Sequence, residues 1–135
     1  MSSAPPGRPP CMSMTTRVMS VSVPVRDQDE ALAFYTGVLG CEVRLDGSYG
    51  PGARWLEVAP PGASTTLALV RREDGTCGVD TGIRLATTDA AADHAALRAA
   101  GADVDAELID MGPQVPPMFT FRDPDGNTLV VVQTP

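Results

Sequence analysis

Apolar and polar positions alternate in short stretches along most of the chain, and clusters of glycine and proline separate these stretches. The first clear stretch contains Val21, Val23 and Val25, with a serine and a proline between them. A period of two places successive side chains on opposite faces, so this stretch predicts a half-buried strand. The same alternation returns over Cys41–Leu45, after an interval with a different period.

The interval between these two strands has the spacing of a helix. Apolar residues recur at helical positions from Ala31 to Leu39. Asp27 precedes them and Glu30 follows three residues later, which is the pattern of an N-cap and a capping box. Gly40 stands where a helix end is expected. The whole stretch therefore predicts a strand–helix–strand unit with the helix on one face of a sheet.

Further alternation predicts the remaining strands. Clusters rich in glycine, proline and aspartate separate them, and two of these, Asp46–Gly52 and Asp123–Asn127, are predicted to be turns. A second helix is predicted between Asp89 and Gly101. The predicted strands are Arg54–Ala59, Ser64–Val70, Val79–Thr87, Ala102–Leu108, Met118–Arg122 and Thr128–Gln133.

The second half of the chain repeats the first. Asp89 stands 62 positions after Asp27, and each of them precedes a predicted helix that follows an alternating strand. The strand TLALV of the first half corresponds to TLVVV of the second, again 62 positions apart. This register predicts an α+β fold of two tandem βαβββ modules, at about 17–71 and 79–135. We expect the modules to form a curved mixed sheet around a cup, with the helices on the outer face.

Residues 1–16 differ from the rest of the chain in composition. They are rich in proline and serine and have no periodicity, which predicts a disordered leader before a single domain at 17–135. The leader lacks the apolar core of a signal peptide. Met12 and Met14 are candidate alternative start sites.

Charge and cysteine content narrow the classes of partner. The formal net charge of −7 argues against nucleic acid and is compatible with a cationic ligand or with plain solubility. No apolar run approaches the roughly 20 residues that span a bilayer, so no membrane segment is expected. Cys11, Cys41 and Cys77 have no disulfide or zinc spacing, which predicts a protein of the reducing cytoplasm.

Two segments carry a resemblance to a known family: VRDQDEALAFYTGVLGCEV at 25–43 and FRDPDGNTLVVV at 121–132. With them the chain resembles, over about 17–135, the vicinal oxygen chelate superfamily. This superfamily includes glyoxalase I, bleomycin-resistance proteins, fosfomycin-resistance enzymes and extradiol dioxygenases. The resemblance implies the fold predicted from the repeat, and it implies a homodimer. It does not imply one reaction, because the superfamily contains several reactions and also pure binding proteins.

The resemblance also implies where a metal ion would be held. Catalytic members place His, Gln or Glu ligands on the first and fourth strands of each module. The corresponding positions here are Ser20, Ala68, Gly82 and Val130. None of these is a good ligand for a divalent ion, so we expect no metal and no other cofactor. The single histidine, His94, lies in the second predicted helix, where packing is a more common role than metal binding.

Because side chains alternate between the two faces of a strand, the sequence predicts which of them face the cup. A mostly apolar surface with a few polar groups is typical of a small-molecule site. If the apolar face of each strand meets a helix, the opposite faces carry Ser20, Ser22, Trp55, Glu57, Thr66, Ala68, Gly82, Arg84, Phe119, Phe121, Thr128 and Val130. The predicted ligand-binding residues among them are Ser20, Ser22, Trp55, Glu57, Arg84, Phe119 and Phe121.

Glu57 and Arg84 are the charged members of this set and the candidate catalytic residues. Several roles fit them: an ion pair with each other, binding of a ligand carboxylate by Arg84, or action of Glu57 as a base or a cation partner. A position at the solvent rim fits equally. The aromatic residues Trp55, Phe119 and Phe121 either stack on a planar ligand, fill the cup or cover a dimer seam.

Three functions fit these residues. The first is a metal-independent small-molecule binding protein of the bleomycin-resistance type, which sequesters an aromatic or cationic drug or metabolite. The second is a lyase, isomerase or dioxygenase-like enzyme of the same superfamily that uses Glu57 and Arg84. The third is a structural or regulatory domain whose cup has lost its ligand. The residues leave open whether the chain is an enzyme.

Overall fold

The computed structural model describes residues 14–135, so most of the predicted leader lies outside the described part of the chain. The α+β class with two βαβββ modules is confirmed. None of the helices among the described residues is long and apolar enough to cross a membrane. The elements are β1 (Ser20–Val25), α1 (Gln28–Gly37), β2 (Glu42–Gly50), β3 (Ala53–Ala59), β4 (Thr66–Arg71), β5 (Asp80–Thr87), α2 (Ala90–Ala99), β6 (Asp103–Val104), β7 (Met118–Arg122) and β8 (Thr128–Gln133).

Each module forms its own four-stranded sheet. The strand order is β1-β4-β3-β2 in the first sheet and β5-β8-β7-β6 in the second. β1 runs parallel to β4 and β5 runs parallel to β8, while the other neighbouring strands are antiparallel. Helix α1 packs on β3 and β4, and α2 packs on β6, β7 and β8. The two modules therefore share one topology, as the repeat in the sequence predicts.

Both helices begin at the aspartates that the sequence identifies as caps. Asp27 Oδ1 accepts hydrogen bonds from the backbone N–H groups of Asp29 at 2.9 Å and Glu30 at 3.1 Å. Asp89 Oδ1 accepts one from Ala92 at 3.0 Å. These bonds satisfy backbone donors that have no acceptor within the helix. The predicted starts of the two helices are confirmed.

The helix-facing sides of the two sheets share one hydrophobic core. Val23 and Leu69 of the first sheet and Leu129 of the second are completely buried in it. The centroid of the Phe34 ring in α1 lies 6.3 Å from that of Phe121 in β7, so the first helix also contacts the second sheet. The cup face of each sheet consequently lies on the far side of that sheet from the shared core.

A buried hydrogen-bond network also joins the two modules. We call it the inter-module latch, and its members are Pro24, Tyr35, Asp123 and Asn127. Tyr35 Oη donates to Asp123 Oδ2 at 2.8 Å, while Asn127 Nδ2 donates to the Pro24 carbonyl oxygen at 2.7 Å and to Asp123 Oδ2 at 2.9 Å. Asn127 Oδ1 accepts two backbone N–H bonds from the segment between the modules. The predicted turn at Asp123–Asn127 therefore also holds the first module in place.

Strand β2 is longer than predicted. It continues to Gly50, through most of the predicted turn cluster Asp46–Gly52. The hairpin to β3 turns at Pro51 and Gly52, and Gly52 has a φ of 69°. Glycine adopts positive φ without steric cost, so this residue permits a tighter turn than the cluster indicated.

Strand β6 is shorter than predicted. The expected strand Ala102–Leu108 is reduced to Asp103–Val104, which pairs with the end of β7. The Asp105 N–H still donates to the carbonyl oxygen of Thr120 in β7, but the next bridge to β7 is the isolated one between Ile109 and Met118. Apolar alternation over this stretch did not reveal where the pairing would stop.

Candidate functional site

The cup face of the first sheet is centred on one carboxylate. Glu57 lies in the middle of β3 and is only 8% exposed. Trp55 Nε1 donates a hydrogen bond of 2.6 Å to Glu57 Oε2, and Thr66 Oγ1 donates one of 2.6 Å to Glu57 Oε1. We call Trp55, Glu57 and Thr66 the Glu57 triad. Each carboxylate oxygen has one donor from the triad and retains capacity to accept another hydrogen bond.

The hydrogen bonds of the triad keep Glu57 ionised. The bond from Thr66 is the main cause, and the bond from Trp55 the second, of a Glu57 pKa below its ordinary value of 4.5; burial opposes them. Donors lower the pKa because they stabilise the charged carboxylate more than its neutral form. Glu57 is therefore a hydrogen-bond acceptor, with no proton to donate, at neutral pH.

Small side chains from the parallel strands adjoin the triad. Ala68 lies opposite Glu57 in the ladder between β3 and β4 and is fully buried. Ser22 pairs with Ala68, and Ser20 pairs with Thr66, across β1 and β4. Both serines therefore lie on the cup face of the first sheet, on the same side as Glu57.

Leu45 is a cup-face residue that the sequence reasoning missed. It pairs with Glu57 across β2 and β3, and its neighbour Gly47 pairs with Trp55. Leu45 is 49% exposed, so it offers apolar surface beside the triad. The alternation of the strand continues past residue 45, which could have predicted a longer β2. The glycine-rich composition of Asp46–Gly52 favoured a turn instead.

Arg84 lies on the second sheet, in β5, and its side chain is exposed. Within residues 14–135 it has no hydrogen-bond or ion-pair partner. It borders a mostly apolar groove of about 520 Å³ between β5 and the first module, which Val21 and Leu67 also line. Glu57 is bonded instead to its two neutral partners, so the hypothesis of an ion pair between Glu57 and Arg84 is wrong for the single chain.

The predicted positions of Phe119 and Phe121 on the cup face are wrong. In the ladder between β7 and β8, Phe119 pairs with Val131 and Phe121 pairs with Leu129. Residues directly opposite one another in an antiparallel ladder share a face, so both rings point to the helices with Leu129 and Val131. Both phenylalanines are 0% exposed in the shared core. Thr120 takes the intervening cup-face position.

The positions that the resemblance assigns to metal ligands do not fit a metal ion. Ser20 and Ala68 lie on β1 and β4 of the first sheet, and Gly82 and Val130 lie on β5 and β8 of the second. None of the four carries an imidazole, thiolate or carboxylate, the groups that bind divalent transition metals. The part of the chain at 14–135 also contains no group of three or more His, Cys, Asp or Glu side chains suited to a metal.

His94 packs between α2 and the second sheet. Its Nε2 donates a hydrogen bond of 2.7 Å to the carbonyl oxygen of Asp105, which cannot itself donate. The imidazole meets the Phe119 ring edge-on, with 5.1 Å between the ring centroids. These contacts account for the histidine as a residue that packs its helix on the second sheet, whereas the Glu57 triad lies on the first.

Comparison with known proteins agrees with this architecture. The family model described as Glyoxalase/Bleomycin resistance protein/Dioxygenase superfamily matches residues 17–131. A segment of 56 residues is 43% identical to the uncharacterized protein YetH of Bacillus subtilis (strain 168). That segment covers 42% of this chain and 47% of YetH, so the match spans about half the length of that relative.

Two solved structures are similar over nearly the whole chain. TnmS3, an antibiotic binding protein from Streptomyces sp. CB03234, is 35% identical with a TM-score of 0.78, over 92% of this chain and 100% of that one. A glyoxalase/bleomycin resistance protein/dioxygenase superfamily member from Sphaerobacter thermophilus DSM 20745 is 36% identical with a TM-score of 0.83, over 90% and 100% respectively. The chain therefore belongs to the glyoxalase/bleomycin resistance protein/dioxygenase superfamily.

Proposed function

We propose that the chain binds a small organic molecule on the cup face of the first sheet, without a metal ion, and sequesters a drug or metabolite in the cytoplasm. The observation that carries this proposal is the Glu57 triad, an ionised carboxylate held in place on a sheet face of small and apolar residues. The similarity to TnmS3, an antibiotic binding protein, supports the same class of function.

The lowered pKa of Glu57 favours binding over catalysis. A general base works best when its pKa lies near the operating pH. The hydrogen bonds from Thr66 and Trp55 move the Glu57 pKa in the opposite direction, which makes the carboxylate a weaker base. A lyase or isomerase mechanism with Glu57 as its base therefore has less support than a role in recognising a ligand.

The chemistry of this face selects a ligand that is aromatic, cationic or both. Glu57 accepts hydrogen bonds and carries a negative charge, so an ammonium group or an N–H donor satisfies its remaining acceptor capacity. The Trp55 indole is partly exposed and held at one edge by Glu57, and Leu45, opposite Glu57, adds apolar surface. A planar ring stacks well on such a surface.

We also propose that two copies of the chain associate. The shared core contains the helix-facing sides of both sheets, so the cup face of each sheet is a second surface that is not part of this core. A second copy that laid one sheet opposite the Glu57 triad would close the site and exclude water from it. Sedimentation should give a dimer at micromolar concentration, and a monomer there would contradict this part of the proposal.

Trp55 provides a direct test of the ligand, because it is the only tryptophan in the chain. We expect naphthylmethylammonium to change the Trp55 fluorescence more strongly than naphthylmethanol, its neutral counterpart, and bleomycin-type glycopeptides form a third set of probes. Glu57→Gln should raise the Kd of the cationic probe about tenfold or more, since hydrogen bonds to charged groups contribute about 1.5–3 kcal/mol. Binding of the neutral probe should change little.

Three results would contradict this function. The first is that no probe changes the Trp55 emission at millimolar concentration, and the second is that Glu57→Gln binds the cationic probe as tightly as the parent chain. The third is a stoichiometric divalent ion in the purified protein together with loss of probe binding in EDTA, which would show that the site requires the ion. Catalytic turnover dependent on Glu57 would favour the enzyme alternative.

A further inference from the structure

A second concave site lies at the end of the first sheet, apart from the cup face. It is a cleft of about 430 Å³ where the β2–β3 hairpin approaches the end of β4. We call it the arginine cleft, and its wall includes Gln28, Tyr49, Arg54, Trp55, Arg71 and Arg72. Trp55 borders both sites, but the Glu57 carboxylate does not line this cleft.

Two guanidinium groups of the cleft are unpaired in a strongly acidic protein. Arg71 and Arg72 are exposed and have no hydrogen-bond or ion-pair partner among residues 14–135. Glu73 also borders the cleft but makes no ion pair with either of them. In contrast, carboxylates or carbonyl oxygens bind most of the described arginines, namely Arg17, Arg26, Arg44, Arg54, Arg98 and Arg122.

The wall behind these two arginines is fixed by its own hydrogen bonds. Arg54 donates to both oxygens of Asp46 at 2.9 Å and to Asp29 Oδ1 at 2.7 Å. Gln28 Nε2 donates to the carbonyl oxygens of Arg54 at 3.0 Å and Leu69 at 2.9 Å. Arg54 is held by two carboxylates, so the guanidinium groups of the cleft that have no acceptor of their own within the described part of the chain are those of Arg71 and Arg72.

Two aromatic side chains complete the cleft. Tyr49 is 71% exposed on the β2–β3 hairpin, and no partner within the described residues holds its hydroxyl group. Trp55 is anchored by its hydrogen bond to Glu57. Large aromatic rings beside guanidinium groups provide flat apolar surface next to positive charge.

We propose that the arginine cleft binds an organic anion in which a phosphate or carboxylate is attached to a planar ring. A guanidinium group matches the two oxygens of such an anion with parallel N–H donors, and two neighbouring guanidinium groups match a phosphate better than a single lysine would. The ring of the ligand lies against Tyr49 and Trp55. The site shares Trp55 with the Glu57 triad, but the negative charge of Glu57 selects the opposite class of ligand.

Titrations of Trp55 fluorescence in the full-length chain test this site. Phenyl phosphate and benzoate are the aromatic anions, benzyl alcohol is the neutral ring, and inorganic phosphate is the anion without a ring. We expect either aromatic anion to bind more tightly than the neutral ring and than inorganic phosphate. We expect its affinity to fall with added salt, because salt screens exposed charges.

Variants separate the cleft from general charge effects. Arg71→Ala and Arg72→Ala should each raise the Kd of the aromatic anion about tenfold, and the double variant should raise it further. Arg98→Ala removes the same charge from α2, outside the cleft, and should leave the Kd unchanged. A failure here is distinguishable from a failure of the proposed cup-face function, because the arginine variants are tested with anionic probes and Glu57→Gln is tested with the cationic probe.

Four results would overturn the proposal. The first is Trp55 emission that stays unaltered with millimolar aromatic anions, and the second is a double arginine variant that binds them as tightly as the parent chain. Equal weakening by Arg98→Ala would show a general effect of net charge. Equal affinity for inorganic phosphate and phenyl phosphate would remove the role assigned to the rings.

Discussion

Glu57 is a buried carboxylate whose two partners are neutral hydrogen-bond donors. The bonds from Trp55 and Thr66 satisfy part of its acceptor capacity, but neither partner cancels its charge. Burial of a charge is costly unless hydrogen bonds or an opposite charge compensate it. At the scale of the residue, this negative charge, which hydrogen bonds stabilise but no ion pair among residues 14–135 neutralises, is the feature of the first sheet that packing requirements do not explain.

The pH dependence of stability should reveal this arrangement. The folded-state pKa of Glu57 lies below its ordinary value of 4.5, so ionised Glu57 contributes stability above that pH. The contribution is lost as the pH falls through the folded-state pKa. We expect the difference in free energy of unfolding between the parent chain and Glu57→Gln to decrease below about pH 4.5. Urea denaturation over a series of acidic buffers measures it.

Thr66→Val provides the matched control, because the Thr66 hydroxyl makes the largest contribution to the lowered Glu57 pKa. Thr66→Val should bring the Glu57 pKa closer to its ordinary value, and it should weaken, without abolishing, the dependence of the free energy of unfolding on acidic pH. Glutamine can still accept from Trp55 through its oxygen and donate to Thr66 through its nitrogen, so Glu57→Gln should remain folded. A constant difference between the parent chain and Glu57→Gln at all pH values would contradict the interpretation.

At the scale of the element, the two helix caps are equivalent in position but not in hydrogen bonding. Asp27 accepts two backbone N–H bonds and Asp89 accepts one. We expect Asp27→Ala to lower the free energy of unfolding by about 1 kcal/mol, because the N–H groups at the start of α1 lose their acceptor. Asp89→Ala should lower the free energy of unfolding by less, because Asp89 accepts only one of these bonds. Urea denaturation monitored by circular dichroism compares the two variants.

Asp27→Asn is the control for this prediction, since asparagine keeps an oxygen that can accept the same hydrogen bonds. It should retain most of the stability of the parent chain. If Asp27→Asn and Asp27→Ala lower the free energy of unfolding equally, the negative charge at the helix N-terminus matters more than the hydrogen bonds.

At the scale of the whole molecule, the inter-module latch couples the modules through polar contacts inside an apolar core. Tyr35 is fully buried and donates to Asp123, which lies 88 residues further along the chain. We expect Tyr35→Phe to lower the free energy of unfolding by about 2 kcal/mol, because a buried hydrogen bond to a charged group is lost. Tyr49→Phe is the control, since its exposed hydroxyl has no partner within residues 14–135.

The same tyrosine should make the protein sensitive to alkali. Burial, followed by the charge of Asp123, raises the pKa of Tyr35 well above its ordinary value of 10. The neutral phenol therefore contributes stability that is lost as the pH rises above about 10, where the unfolded chain releases its proton. Tyr35→Phe should reduce this loss in alkaline urea titrations. If the free energy of unfolding of Tyr35→Phe falls with alkaline pH as steeply as that of the parent chain, release of the Tyr35 proton is not coupled to unfolding.

Local patterns predicted the elements well where periodicity and turn chemistry agreed. The aspartate caps predicted where both helices begin, and the repeat predicted that the two modules share one topology. The pattern around β3 also placed Trp55 and Glu57 on one face, two residues apart. The residue types at positions Ser20, Ala68, Gly82 and Val130 already argued against a metal centre, because ligand chemistry depends on the side chain.

The register between paired strands could not be predicted from local patterns. The face of β7 depends on how the turn at Asp123–Asn127 sets its register against β8, and an error of one position moves every side chain to the other face. That is why Phe119 and Phe121 were predicted in the cup but lie in the core. The turn at Pro51 and Gly52 likewise extended β2 and brought Leu45 beside Glu57.

The sequence by itself determined which segments become helices and strands, that they repeat, and which chemical groups are available. Only the tertiary structure decided that the helix-facing sides of both modules share a core, that Glu57 is bonded to Trp55 and Thr66, and that Arg84 stands on the other sheet. The physical reason is the range of the interactions. Periodicity and capping act within a few residues, whereas register, burial and partner choice depend on contacts between segments distant in the chain.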